Sequence, residues 1–549
     1  MTADETQVLV AGAGTVGLFA ALFLARHGVS TLAVDRHPAP LVHPRAMGIG
    51  PRTVELLREA GIADAVDTAC LDMSGSNLQM FSAPTLAEAD LAALERAAPP
   101  RTGDLDRVTP QHLRGTCPQR LLDEIAVTAA RSHGADIEFG TELLSFEQDA
   151  DGVRAAVRGP HGRRTVRARY LIAADGARSA VRGTLGIATS GPGPLGLPLI
   201  SVLFRGDLTD LTGGRTFVVC NVTTPAAPGG LLPVDGTREW IYHTRFDPSA
   251  GQRAEDFTEE RCRAMVRAAV GRPDLDVEIV SVLPWQVRAA VADGFRSGRV
   301  FLAGDAAHVI PPVGAFGMNT GIADAHNIAW KLALVLDGTA GPALLDSYED
   351  ERRPVARTAL EQSMLRLADP DLHWGRGPEG ASRRAAAGAL HAPVVHLGYR
   401  YRSAAVLDGP NRLPSTEEID RDLDGSPGSR VPHVWLRGAD GPVSTVDLVA
   451  ARFTVLTGAA GGEWLDALDK VAAELGLAAH GFRIGSGPGS IPSEVGGQWP
   501  QVAGITPSGA LLVRPDGFVG WRTNSLPGAP ETVLRNALTA LLYRLPKGR

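Results

Sequence analysis

The sequence predicts an α/β protein: a doubly wound domain interrupted by an inserted β-sheet unit and followed by a smaller C-terminal α/β unit. Three observations carry this reading. An apolar strand, Gln7 to Ala11, runs into the glycine turn Gly12-Ala-Gly14-Thr-Val-Gly17 and then a helical apolar pattern. A second ligand-type turn, Gly304-Asp305, ends another apolar strand about 290 residues later. Between them, from about 190 to 292, short β-like runs alternate with Gly and Pro turns. Two such turns so far apart imply one long cofactor spanning two parts of a Rossmann-like sheet, FAD rather than NAD.

Composition sets the bounds. A chain of 549 residues is too long for one core, so two or three domains are expected. A formal net charge of -7 argues against nucleic-acid or anionic-membrane partners, which need a basic face. The basic residues are almost all Arg, with Lys only at 331, 470 and 547. Cys70, Cys117, Cys220 and Cys262 form no CxxC and no metal-ligand spacing, so they are read as reduced structural thiols of a cytoplasmic protein, with no metal site. The apolar run Val8 to Ala25 has the length of a targeting segment. It follows Asp4 and Glu5 and is broken by three glycines, so it is assigned to a strand, turn and helix.

The elements follow in order. A helix is expected from Thr15 to His27, a buried strand over Thr31–Asp35, a helix from Arg52 to Ala60 and another over 120–134. Val166 to Ala174 reads as a strand ending at Asp175-Gly176. Leu199–Phe204, Thr216–Cys220 and Glu239–Phe246 read as strands of the inserted sheet, one face packed and the other lining a cavity. A long helix is expected from Asn319 to Leu336, with more helix to 368 and a mobile polar stretch over 370–390. The predicted domains are 1–185 and 293–404 (the two parts of the cofactor-binding domain), 186–292 (the sheet for substrate) and 405–549.

The glycine turn is the first chemical motif. Gly12 permits the tight turn, Gly14 lets a pyrophosphate approach the backbone, and Gly17 lets the helix pack on the strand. The helix N-terminus supplies amide donors and dipole to the anion. Asp35 ends the next strand, 18 residues beyond Gly17, where a carboxylate accepts from a ribose hydroxyl. Arg36 is placed to stack on adenine.

With Gly12/Gly14/Gly17, the run Tyr170-Leu-Ile-Ala-Ala-Asp175-Gly176-Ala-Arg178-Ser179 and Gly304-Asp305 in this order, the chain resembles the single-component flavin-dependent aromatic hydroxylases, typified by para-hydroxybenzoate hydroxylase, over Gln7 to about Arg357. The resemblance implies non-covalent FAD, with Asp305 on its ribityl or ribose hydroxyls and Asp175 supporting the site. It places Arg45 on a loop beside the flavin, as a candidate catalytic or cofactor contact, and Gln119 in contact with the flavin. Beyond Pro312, the amides of Gly317, Met318 and Asn319 at the start of the long helix would face the flavin's pyrimidine edge and stabilise the charge of its reduced form. Many relatives have Gly-Gly-Gln-Gly where this chain has Gly314-Ala-Phe-Gly317; Phe316 is expected to alter the pocket wall. His308 is read as structural.

Leu397-Gly-Tyr-Arg-Tyr-Arg402, Ser444-Thr-Val-Asp-Leu and Val513-Arg-Pro-Asp-Gly-Phe-Val-Gly-Trp-Arg522 resemble the polyketide and anthracycline hydroxylase branch, with its thioredoxin-like C-terminal domain. That domain has no cysteine here, which leaves packing or homodimer contacts as its roles. Arg400 or Arg402 is a candidate for stabilising a substrate phenolate. The implied activity is hydroxylation of a large phenolic or quinoid substrate with O2 and NAD(P)H, NADPH favoured, through an oxygen adduct at the flavin C4a. Baeyer–Villiger or epoxidising chemistry is the alternative on the same scaffold; a non-catalytic flavin- or metabolite-binding partner is the alternative of another class.

Overall fold

A computed structural model describes residues 4–98, 105–492 and 498–544. At its centre lies β1 (Asp4–Ala11), parallel to β2 (Thr31–Asp35) on one side and to the strand Gly162–Ala173 on the other. Val300–Leu302 adds beyond Gly162–Ala173, and Asp136–Phe139 adds beyond β2, both parallel. Parallel strands need crossovers that cover both sheet faces, so their residues are apolar throughout. Val8, Leu9 and Val10 are accordingly fully buried. Helix α1 (Thr15–Arg26) makes the first crossover, and its Leu18 to Leu24 are buried on all sides.

This strand order fixes the site. The chain winds from β1 to β2 in one direction and from β1 to Gly162–Ala173 in the other, so a crevice opens between their carboxyl ends. The turns after β1, after Gly162–Ala173 and after Val300–Leu302 all emerge there.

The inserted unit is a sheet in the order Glu278–Trp285, Leu199–Arg205, Glu239–Arg245, Gly229–Pro233, Val219–Val222 and Met80–Ala83. One face carries Ile200, Val202, Phe204, Trp240 and Tyr242, which pack with Cys262, Val266 and Ala269 of the helix Glu259–Val270. The opposite face bears Ser201, Leu203, Ile241 and His243, as period-2 alternation requires. Two expectations need correction. Met80–Ala83 pairs in parallel with Val219–Val222, so the sheet recruits a segment from inside 1–185. The strand expected at Thr216–Cys220 lies at Val219–Val222, in register with that segment.

The stretch 370–390, expected to be mobile, forms the helices Asp371–Trp374 and Gly377–Ala387. Its alanines favour helix, and buried Arg384 is clamped by Glu417 at 2.7 and 2.8 Å. The C-terminal unit is a mixed sheet in the order Ala479–Ile484, Phe453–Gly458, Ala510–Val513 and Val519–Thr523, the first pair parallel and the rest antiparallel. Its helices Gly462–Leu475 and Pro530–Leu541 share an apolar cluster with Trp330 and Leu344 of the first domain.

Charged residues bind the two units as well. Glu351, fully buried on the helix Ser347–Ala368, accepts from Lys331 at 2.7 Å, Arg514 at 2.6 and 2.9 Å and Ser403 at 2.7 Å. Arg514 also pairs with Asp516, whose carbonyl accepts from Arg52. Burial raises the Glu351 carboxyl, but the Arg514 and Lys331 charges outweigh it and hold the group ionised. The same burial lowers Lys331 to about 8, against the pull of Glu351. Removing one member leaves the others charged and unpaired in the interior, which costs roughly 3–5 kcal/mol. Glu351→Ala is therefore expected to lower the thermal midpoint by several degrees, whereas Arg272→Ala, which breaks the exposed pair with Asp210, should leave it nearly unchanged. Differential scanning calorimetry of the two variants checks this.

Candidate active site

The first part of the crevice is the glycine turn. Gly12 sits at φ +99°, and a Cβ there would lie 2.3 Å from the Ala174 carbonyl oxygen, so the turn rests directly on the neighbouring strand end. A Cβ on Gly17 would lie 1.8 Å from the Gly12 oxygen, while Gly14 faces open space. The close approaches belong to Gly12 and Gly17, and Gly14 leaves the cradle open for a phosphate. The Asp35 carboxylate accepts from the Ala13 amide and, through its other oxygen, from the His37 amide, both at 2.8 Å. It thus braces the glycine turn as well as ending β2. Arg36 is exposed beside it.

The second part is Asp175-Gly176. One Asp175 oxygen accepts from the Val181 amide at 3.1 Å, and the other is buried with no partner. A buried orphan acceptor at the mouth of a cofactor crevice is a group awaiting a donor.

The third part is Gly304-Asp305. Asp305 is solvent-accessible, yet neighbouring protein atoms surround its carboxyl closely enough to desolvate it. Desolvation raises its carboxyl above the usual range, opposed by the charges of His308 and Arg45. Arg45 is exposed on its loop, and its charge also reaches His43. His308 is fully buried, 2.7 Å from Asp324, so it belongs to the support of the turn. Asp324 also accepts from the Gly304 amide at 3.1 Å and from Arg352 at 2.7 Å.

The long helix begins at Phe316, one turn earlier than expected, capped by Ala315 in the left-handed region at φ 55°. Amides of Gly317 and Met318 therefore fall among the free donors of the first turn, beyond exposed Pro312. Asn319 has a different part. Its side chain accepts from the Gly50 amide at 2.8 Å and donates to the Gly48 and Ala315 carbonyls, stapling the 46–50 loop to the helix start. Phe316 does not form a pocket wall, contrary to expectation: it is buried against Ala359 and Val395, beside His396 and beneath Arg366. A Cβ on Gly314 would strike its ring at 2.4 Å, so the glycine is required by the inward turn of Phe316.

Gln119 opens the helix Gln119–Ser132, and its amide group donates to Thr15 Oγ1 at 2.8 Å. Thr15, in the first turn of α1, donates in turn to Asp123 at 2.6 Å. Arg400 is not a substrate contact. It binds Ser426, the Asp422 carbonyl and Asp424, with a side chain only 4% exposed. It was an attractive candidate because it sits in a Tyr/Arg cluster, and the acidic partners that neutralise it lie more than twenty residues on. Arg402 is exposed and donates to the Arg412 carbonyl.

The free face of the inserted sheet closes the site. Leu203, Val234 and Ile241 form an apolar patch with Met47 of the Arg45 loop, Leu232 and Val280. At its edge His43 bridges Ser281 at 2.6 Å and Ser201 at 2.7 Å, and burial lowers its pKa to about 4. His243, likewise lowered to about 4 by burial, keeps an unpaired Nδ1, and nearby Trp285 an unpaired Nε1. The crevice therefore offers a phosphate cradle at the glycine turn and free helix-start amides at Gly317 and Met318, with the 46–50 loop joining that helix start to the apolar patch through Asn319 and Met47. That donor set suits FAD. Among the described residues no cluster fits a metal ion, and no helix is long and apolar enough to cross a membrane.

Residues 5–363 match the family model described as an FAD binding domain. The chain belongs to the FAD-binding aromatic-ring hydroxylase family. Residues 424–544 match the model of the aromatic-ring hydroxylase C-terminal region. A putative polyketide hydroxylase of Streptomyces halstedii is 43% identical over 98% of both chains. The tetracenomycin A2 monooxygenase-dioxygenase of Streptomyces glaucescens is 43% identical over 99% of this chain and 98% of its own. Among solved structures, aklavinone-11 hydroxylase in complex with FAD and aklavinone superposes with a TM-score of 0.84 at 36% identity, over 99% of this chain and 100% of the other. The protein is thus an FAD-dependent monooxygenase.

Asp123 was missed by sequence reasoning, since nothing local marks an acidic residue in an amphipathic helix as buried. Burial raises its carboxyl to about 7, against the Thr15 hydrogen bond. A carboxyl whose folded pKa exceeds its unfolded value stabilises the fold fully below the unfolded value, about 4, and loses that stabilisation as pH rises through the folded one. Thermal melts from pH 5 to 8.5 are expected to show the wild type losing ground to Asp123→Asn, by a few kcal/mol at the alkaline end if each pKa unit counts about 1.4 kcal/mol. Parallel profiles for the two proteins would contradict this placement.

Proposed function

We propose that this enzyme hydroxylates a large, flat phenolic or quinoid substrate of polyketide type, using O2 and NADPH. The observation that carries the reading is the 46–50 loop, which Asn319 ties to the start of the long helix and which packs through Met47 on the apolar patch of Leu203, Ile241 and Val280. The names of the similar proteins, which act on tetracenomycin A2 and aklavinone, support a polycyclic aromatic.

Bound FAD supplies the oxygen activation. The chain's own contributions are positional and electrostatic. Gly12, Gly14 and Gly17 seat the pyrophosphate, Asp35 and Asp305 take sugar-chain hydroxyls, and Asp175 offers its unpaired oxygen to the same cofactor. Gly317 and Met318 present amides to the ring's negative edge, so no buried cation is needed there. Leu203, Ile241, Val234 and Met47 exclude water from the ring face, which protects a reactive oxygen species from hydrolysis. His243 and His43 are neutral at physiological pH. Arg45, exposed on its loop, is assigned to the nicotinamide or to the pyrophosphate. A reductant that binds transiently fits a chain with one glycine-turn fingerprint. The C-terminal unit is read as thioredoxin-like from its mixed four-stranded sheet and flanking helices. Its role is packing.

Incubation with polycyclic phenols, NADPH and 18O2, followed by mass and NMR analysis of products, tests this. One 18O on a ring carbon with the ring system intact is expected. A ring-expanded lactone, or NADPH oxidation indifferent to every aromatic offered, would overturn the reading.

A further inference from the structure

Two of the four cysteines, 47 positions apart in sequence, meet in the fold. Leu71 pairs antiparallel with Thr116 and Asp72 with Gly115. One step further in the same register sets Cys70 opposite Cys117, and the two thiols lie within hydrogen-bonding reach of each other. Facing residues of an antiparallel pair have Cβ atoms about 4.5–5.5 Å apart, close to the separation a disulfide spans. We propose that Cys70 and Cys117 form a peroxide-oxidisable dithiol, closing to a disulfide beside the cofactor crevice.

The two members are built for different parts. Cys70 is half-buried and Cys117 fully buried. Hydrogen bonding from Cys117 lowers the Cys70 thiol, against burial and the nearby Asp67 charge, while the Cys117 thiol is pushed up by the same bond and by burial. Cys70 is the nucleophile and Cys117 the resolving thiol. The Cys70 thiolate attacks one oxygen of hydrogen peroxide, breaking the O–O bond, to give a sulfenic acid and, after proton uptake, water. The Cys117 sulfur then displaces the second oxygen as water and yields its proton. Two thiols lose two electrons and two protons in all, and the peroxide becomes two waters. Cys220 and Cys262 are buried with raised thiol pKa values and serve as internal references.

The position gives the bond a consequence. Cys117 donates its amide to the Met47 carbonyl at 2.9 Å, and Gln119 donates to the Ala46 carbonyl at 3.0 Å. A Cys70–Cys117 bond would fix the strand that anchors the Arg45 loop and opens the Gln119 helix.

The test treats FAD-loaded full-length protein with hydrogen peroxide at a few molar equivalents, then alkylates in denaturant and maps peptides. A mass loss of about 2 Da on a Cys70–Cys117 linked peptide, reversed by dithiothreitol, is expected. Cys220 and Cys262 should remain alkylated. In Cys117→Ser the linked peptide should vanish and Cys70 should instead take up a sulfenic-acid trap such as dimedone. Four alkylated cysteines after treatment, or irreversible oxidation of Cys70 without a linked peptide, would overturn the proposal.

Discussion

Asp324 is the buried charge around which the cofactor crevice is organised. It lies on the long helix that begins at Phe316, and its carboxylate reaches back to the Gly304 amide, one residue before Asp305. His308 and Arg352 complete its shell, and all three side chains are fully buried. Burial alone would neutralise the carboxyl, but the charges of Arg352 and His308 outweigh it and hold the group below the usual carboxylate range. A charge that satisfied fixes three separate segments at once, because any displacement leaves an unpaired ion in a medium of low dielectric. Arg352 continues the chain to Tyr401, and its neighbour Glu351 continues it to Arg514 and Asp516 in the C-terminal unit. The C-terminal unit thus contributes Arg514 to the pairing of Glu351, beside Lys331 of the first domain.

With that frame held, the chemistry asks little of individual side chains. In the proposed reading, phosphate, sugar chain and ring edge would be met by glycine backbone, two carboxylates and a helix start, each at the carboxyl end of a parallel strand or just beyond it. The free face of the inserted sheet packs against Met47 of the Arg45 loop. Beside its apolar patch that face carries Ser201, Ser281 and His243, with His43 of the Arg45 loop bridging the two serines, and burial lowers the pKa of both histidines to about 4. Arg45 supplies the cation whose charge reaches these polar groups at His43.

Much of this was legible in the sequence where local rules govern. The glycine turn, Asp35, Asp175-Gly176 and Gly304-Asp305 announce themselves because a turn's residue types follow from its backbone and its ligand. Thr31–Asp35 was read residue for residue because buried parallel strands have abrupt polar ends. The failures came where distant partners decide. Arg400 reads like an active-site cation until Asp422, Asp424 and Ser426 surround it, and Phe316 reads like a pocket wall until the backbone at Gly314 and Ala315 turns it inward. Asn319 was expected to offer its amide, and its side chain does the work of joining two loops. Residues 370–390 were misjudged because their glycines punctuate helices that the alanines build. Cys70 and Cys117 carry no sequence signal, since a short antiparallel pair between remote segments has no periodicity to read.

The central claim is that the Asp324 cluster seats the cofactor turn, and FAD affinity tests it most directly. Flavin fluorescence quenching on apo-protein, at a temperature where circular dichroism shows both proteins folded, compares wild type with Asp324→Asn. The account predicts FAD binding at least about tenfold weaker in the variant, equivalent to roughly 1.4 kcal/mol, because Arg352 loses its counter-charge and the Gly304-Asp305 turn loses its anchor. An unchanged Kd in a fully folded variant would contradict it.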